Sequence, residues 1–218
     1  MRSPSKPSYI KIIAATSLVL GPLLMSAGDL IHPREHADAA DQAAVIVEHA
    51  SRWYAAHLLL FIGLLVLIPG ILALTGLIAE RKPAVGYAAR VLVLAGVAAF
   101  SAVFVAEMLI GRYISDGADV SAATELLETF QSGLVLGVVM VGGVAFFIGV
   151  AAFAIPLIMA DGGLRWPAAI YVLGALLILA EIMSSQVLLS QIGNVVLLAA
   201  SVWFAWHILQ RDQSAVSA

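Results

Sequence analysis

Along the chain, long runs of apolar residues alternate with short polar breaks. A helix that crosses a hydrocarbon core of about 30 Å needs about 20 mainly apolar residues. Six runs meet that requirement, at about 12–31, 53–79, 84–110, 129–159, 167–183 and 192–209. His32-Pro33 ends the first, Glu80-Arg81-Lys82-Pro83 separates the second from the third, and the third closes on Arg112. A polar stretch from Ser115 to Glu128 precedes the fourth, Asp161 to Arg165 follows it, and Ser184 to Gln191 reads as a tight polar hairpin before the last. The ten-residue alternation of a membrane barrel is absent, and a lipid-exposed backbone must satisfy its own hydrogen bonds. The pattern therefore predicts an all-α, polytopic bundle of six transmembrane helices, one membrane domain over 1–218.

A seventh segment carries a different pattern. From Asp38 to Arg52 the positions Asp38, Asp41, Gln42, Glu48, His49 and Arg52 share one helical face, and Ala39, Ala40, Ala43, Ile46, Val47 and Ala50 the other. This short amphipathic outer segment either lies on the membrane or extends the second span outward. Its polar face is acidic, which does not suit anionic lipid; covering the outer mouth of the bundle fits it better.

Composition strengthens the membrane assignment. The chain is 62% hydrophobic and 11% charged, against roughly a quarter charged in water-soluble proteins, so nucleic-acid binding and disorder are excluded as organising roles. The absence of cysteine removes disulfides, thiolate metal sites and thiol catalysis. Orientation follows from the basic residues. With the N-terminus in the cytoplasm, Arg2, Lys6, Lys11, Arg81, Lys82, Arg90, Arg165 and Arg211 fall inside, and only Arg34, Arg52 and Arg112 outside. Both termini are then cytoplasmic and the protein is a multi-pass protein of the cell (inner) membrane. Cleavage near Met25-Ser26-Ala27-Gly28 would leave five spans, but Met25 stands where a signal-peptide site needs a small residue.

Small residues mark helix contacts. Gly133, Gly137, Ala145 and Gly149 line one face of the fourth span and let another backbone approach, within the chain or in a homo-oligomer. Leu18-Val-Leu-Gly21 returns as Leu134-Val-Leu-Gly137, a faint sign of the inverted repeats found in transporters.

Ionisable residues inside spans are expensive and face the bundle interior or a cavity by default. Four occur. At a rise of ~1.5 Å per residue, Asp29 lies about 27 Å beyond Lys11, His57 about 34 Å beyond Glu80, Glu107 about 26 Å beyond Arg90 and Glu181 about 22 Å beyond Trp166. All four therefore sit in the outer third of the bundle, with Gln131 and Asn194 close to the same level. Two arrangements are open: the four converge on one site, or each reaches the nearby interface by itself. Convergence would bring a carboxylate–imidazole set suited to Zn, Mn or Fe, with His57, Glu107 and Glu181 as ligands. Asp29, Arg112, Gln131 and Asn194 would then serve a bound ligand. His32 and His36 are four apart, but Pro33 between them ends the helix. His207, beside Trp203 and Trp206, is explained by an interfacial aromatic belt.

No zincin, phosphate-loop, nucleophile-elbow or dinucleotide motif is present. His32-Pro33, then Trp53 to His57-Leu-Leu-Leu60, then Pro69-Gly70 resemble features of uncharacterised six-helix bacterial integral membrane proteins. That resemblance covers span count and loop lengths over most of the chain and implies the architecture, not a chemistry. Three functions are expected to compete. The first is an outward-facing polar pocket that binds a cation or small ligand. The second is a transporter of a small neutral or apolar solute, since the midplane lacks the charges secondary transporters place there. The third is a membrane-embedded hydrolase in which a divalent metal activates water and Glu107 or Glu181 is the catalytic base.

Overall fold

Apolar runs that cannot leave a backbone N–H unpaired in lipid have one local solution, and the chain takes it. The computed structural model describes residues 8–33, 38–117, 120–130, 132–160, 162–184 and 187–214. These form α1 (Tyr9–Ile31), α2 (Ala39–Ala79), α3 (Pro83–Ser115), α4 (Val120–Phe130), α5 (Gly133–Met159), α6 (Arg165–Ser184) and α7 (Val187–Ser214), with no strand among the described residues. Among the described residues five helices are long and apolar enough to cross a membrane: α1, α2, α3, α5 over Leu136–Met159 and α7 over Leu188–Gln210. The fifth apolar run of the sequence is the helix α6, of 20 residues.

Close backbone contacts hold the helices together. α1 and α2 cross where Gly21 meets Gly63: a Cβ placed on Gly63 would stand 2.8 Å from the Gly21 carbonyl oxygen. On α5 the expected face is met in part, since Gly149 is in contact and Gly133 and Gly137 are not. Gly142 and Gly149 pack on Ala99 and Val93 of α3, whereas a Cβ at Gly133 or Gly137 would have nothing within 4 Å. The matching Leu-Val-Leu-Gly segments are therefore not equivalent, because Gly21 is a tight crossing point and Gly137 faces open space. α6 and α7 meet at Gly174 and Gly193. The main core lies among these crossings, with Leu18, Leu64, Leu74, Val93, Phe153 and Phe204 almost completely buried.

The amphipathic segment and α2 are one helix, bent at His49, whose φ of −124° and ψ of 27° interrupt the helical backbone. The Asp38 Oδ1 accepts from the Ala40 and Asp41 amides at 2.9 and 3.1 Å, which caps its N-terminus. Three features depart from the expected pattern. The polar stretch from Ser115 to Glu128 carries most of α4, which runs on to Phe130, so the helix of the fourth apolar run starts at Gly133 rather than at 129; Gly117 and Gly133, with φ of +94° and +61°, flank α4. Because α4 lies against the α2 extension, the buried face there is Ala39, Gln42, Ala43 and Ile46, so Gln42 is inside and Val47, assigned to the apolar face, is exposed. With Trp53, Ile110, Ile114, Ala123 and Leu127 these form a second hydrophobic cluster beside the bundle. The Ser184 to Gln191 hairpin is also shorter than expected, since α7 begins at Val187 and takes Ser190 and Gln191 into its first turns.

Candidate functional site

Every long helix contributes to a cavity of about 410 Å³ near the end of the bundle that carries His32. Asp29 from α1, His57 from α2, Glu107 from α3, Glu181 from α6 and Asn194 from α7 all line it. Helix periodicity delivers some of them together: Phe100, Phe104 and Glu107 fall on one face of α3, and Ser190 and Asn194, four apart, on one face of α7. Ser190 Oγ donates to Asp29 Oδ1 and Asn194 Nδ2 to Asp29 Oδ2, each at 3.3 Å, so α7 holds the Asp29 carboxylate by both oxygens. The deeper wall is aromatic. Phe100 and Phe146 pack edge-on with centroids 5.7 Å apart, as do Phe146 and Phe147, and Phe104 and Tyr171 complete the lining.

Trp53, His32 and His57 form one cluster of mutually tilted rings at the polar end. The Trp53 ring lies 4.9 Å from His32 and 4.6 Å from His57, and its Nε1 donates to the Glu107 carbonyl at 3.1 Å. His57 Nδ1 is 2.9 Å from the Trp53 carbonyl oxygen, His32 Nδ1 is 2.6 Å from that of Pro33, and the two Nε2 atoms are 3.3 Å apart. Arg52 reaches from α2 to the end of α1, where its Nε donates to the Ile31 carbonyl and its Nη2 to that of His32 at 3.2 Å. These are carbonyls a helix end leaves unpaired. Replacing Arg52 with methionine is therefore expected to cost about 1–2 kcal/mol and to speed amide exchange in the last turn of α1 more than elsewhere; uniform exchange across α1 would contradict this role.

Several expected site residues stand elsewhere. Arg112 does not line the cavity; it pairs with Asp116 one turn on, Nη2 to Oδ1 at 3.0 Å, and borders a separate groove with Ala50, Ser51 and Tyr54. That groove takes Val105, Met108 and Leu109 from α3, a different face from that of Phe100, Phe104 and Glu107. Gln131 and His36 lie outside the described residues. No residue of the 38–52 segment lines the cavity, because that segment is taken up against α4 rather than laid over the mouth. His207 borders a pocket at the opposite end, with Arg81 and Lys82.

The metal set is not assembled. Among the described residues no three His, Asp or Glu side chains are grouped so as to hold an ion. The cause is visible at His57, whose two ring nitrogens already face Trp53 and His32, while Glu107 and Glu181 belong to other walls. A catalytic metal needs about three protein ligands and an open position, so no hydrolytic step is derived through one. Sequence reasoning passed over His32, treated as a helix end, and Ser190, treated as hairpin. It also passed over the aromatic lining, although the shared face of Phe100, Phe104 and Glu107 was readable. Compared with protein-family models, with curated proteins and with solved structures, the chain matches none.

Proposed function

We propose that this is a six-span membrane protein, α6 being the sixth span, whose cavity binds a small organic cation with an apolar or aromatic body. The distribution of basic residues supports cytoplasmic termini and a cavity that opens outward. One observation carries the ligand assignment: a single cavity joins three carboxylates, Asp29, Glu107 and Glu181, to the rings of Phe100, Phe104, Phe146, Phe147 and Tyr171. Aromatic faces attract cations, most strongly in desolvated sites, and carboxylates held away from water favour a cationic partner. The volume is in the range of pockets for small molecules, about 300–1,000 Å³.

A neutral, apolar solute, bound or transported, is the second reading. The apolar lining by Leu60, Leu64, Leu67 and Leu197 favours it. The two separate in one measurement on the full chain in lipid nanodiscs, using benzyltrimethylammonium and its uncharged carbon isostere neopentylbenzene. The cation is expected to bind about tenfold or more tightly than the isostere, and Asp29→Asn, Glu107→Gln or Glu181→Gln to erode that preference. Equal affinities would overturn the cation reading in favour of the neutral one. Binding of neither probe would overturn both.

A further inference from the structure

Beside the four residues of the outer level, the six apolar runs contain one basic side chain, Arg90 in 84–110. Gly86 packs on Ala79 where α2 turns into α3, so the two antiparallel helices bring Arg90 level with Thr75. A long basic side chain near a helix end ordinarily reaches outward to water, but this one is held. Its Nε donates to the Thr75 hydroxyl at 3.2 Å and its Nη2 to the Leu72 carbonyl at 3.4 Å, while the Tyr87 ring lies 5.3 Å from its Cζ. Thr75 is completely buried, and its hydroxyl is fixed in turn by donating to the Ile71 carbonyl at 2.8 Å. A guanidinium has five N–H groups. Two are used; among the described residues the other three meet no acceptor, and the charge meets no carboxylate within ion-pair distance. The apolar run 53–79 of α2 is about 40 Å long and overshoots a hydrocarbon core of about 30 Å by about one turn at each end. Thr75 therefore stands near the boundary of that core, where lipid headgroups begin.

We propose that Arg90, anchored on Thr75 beside Tyr87, binds the phosphate group of a membrane phospholipid. Charge, geometry and depth agree on this partner. The planar fork of a guanidinium matches two phosphate oxygens, and a positive charge at the edge of a low-dielectric phase favours an anion. Basic sites between membrane helices are a known setting for lipid headgroups. The apolar surface beside the charge fits the rest of the lipid: Val91, next to Arg90 on α3, is 66% exposed, and Leu72 on α2 is exposed as well. A free phosphate has the same head chemistry but gains nothing from that surface. All parts of the site come from α2 and α3, none of them lines the cavity, and the site does not depend on which ligand the cavity takes.

Solid-state NMR tests this directly. The full chain, labelled with ¹⁵N-arginine, is reconstituted into proteoliposomes of phosphatidylglycerol and phosphatidylcholine in phosphate-free buffer. Arg90→Lys, which keeps the charge, assigns the Arg90 guanidinium by difference. That signal is expected to be dephased by lipid ³¹P, and Thr75→Val, which removes the anchor, to weaken the dephasing. No dephasing in the unaltered chain would overturn the proposal, and so would dephasing that appears only after inorganic phosphate is added. Undiminished dephasing in Thr75→Val would overturn it too, since an unanchored arginine at the surface would then do as well.

Discussion

Replacing Trp53 with alanine is expected to cost about 3–5 kcal/mol of stability, the range for deleting a large buried aromatic side chain. Trp53 is 2% exposed and stands where three features meet. It belongs to the second cluster with Ile110 and Ile114, and it touches Gly111 so closely that a Cβ there would lie 2.8 Å from its Cδ1. It also packs at a tilt against both histidine rings and donates to the Glu107 carbonyl. Alanine would leave a hole between the cavity's polar end and the α4 cap. Phenylalanine keeps most of the packing and loses the hydrogen bond, for a cost of about 1 kcal/mol. Reversible unfolding of the two variants in mixed micelles measures the difference. Equal, small losses would show that the ring does not carry the packing of the second cluster.

The second large effect is expected at the α1–α2 crossing. Valine at Gly63 would bring carbon to within 2.8 Å of the Gly21 carbonyl oxygen and 2.9 Å of the Met25 backbone nitrogen. Backbone cannot give way as the tip of a side chain can, so the helices must separate. Overpacking of this kind costs about 1–3 kcal/mol, occasionally more. The effect should extend to the cavity, which Met25, Leu60 and Leu64 line from the two sides of the crossing. Gly137 is the control. With nothing within 4 Å of its Cβ position, Gly137→Ala is expected to be neutral, or to stabilise by up to about 1 kcal/mol through helix propensity. Thermal unfolding of both variants decides the matter, and comparable destabilisation at the two glycines would contradict the packing described.

The four ionisable residues found along the spans do line one cavity, and the reason they were visible is energetic. A charge inside an apolar run has few tolerable environments, so its presence alone points to a cavity or an interface. Arg112 and Gln42 show where this reasoning stops. Both are polar residues at suitable positions, yet one pairs with Asp116 on the outside of α3 and the other is buried under α4. His32 shows the converse: a residue whose position marks a helix end becomes half of the histidine pair because α2 returns alongside α1. Beyond Phe100 and Phe104, which share a face with Glu107, the aromatic wall was hidden for another reason. In spans that are apolar all round, hydropathy does not distinguish the lipid-facing side from the core-facing side.

Read as a string, then, the chain specifies helices that cross or line a membrane, the polar breaks that end them, and a concentration of acids and histidines toward one end. Those are local properties, set by hydrogen-bond satisfaction and by the cost of charge in lipid. Packing alone chose the rest: the helix in the Ser115 to Glu128 stretch, the glycines that carry the crossings, the seat of Asp29 on Ser190 and Asn194, and the meeting of His32 with His57. Each depends on how a helix is rotated about its own axis and which neighbour it meets. That choice is made by van der Waals fit between surfaces distant in sequence, and an apolar run leaves it open.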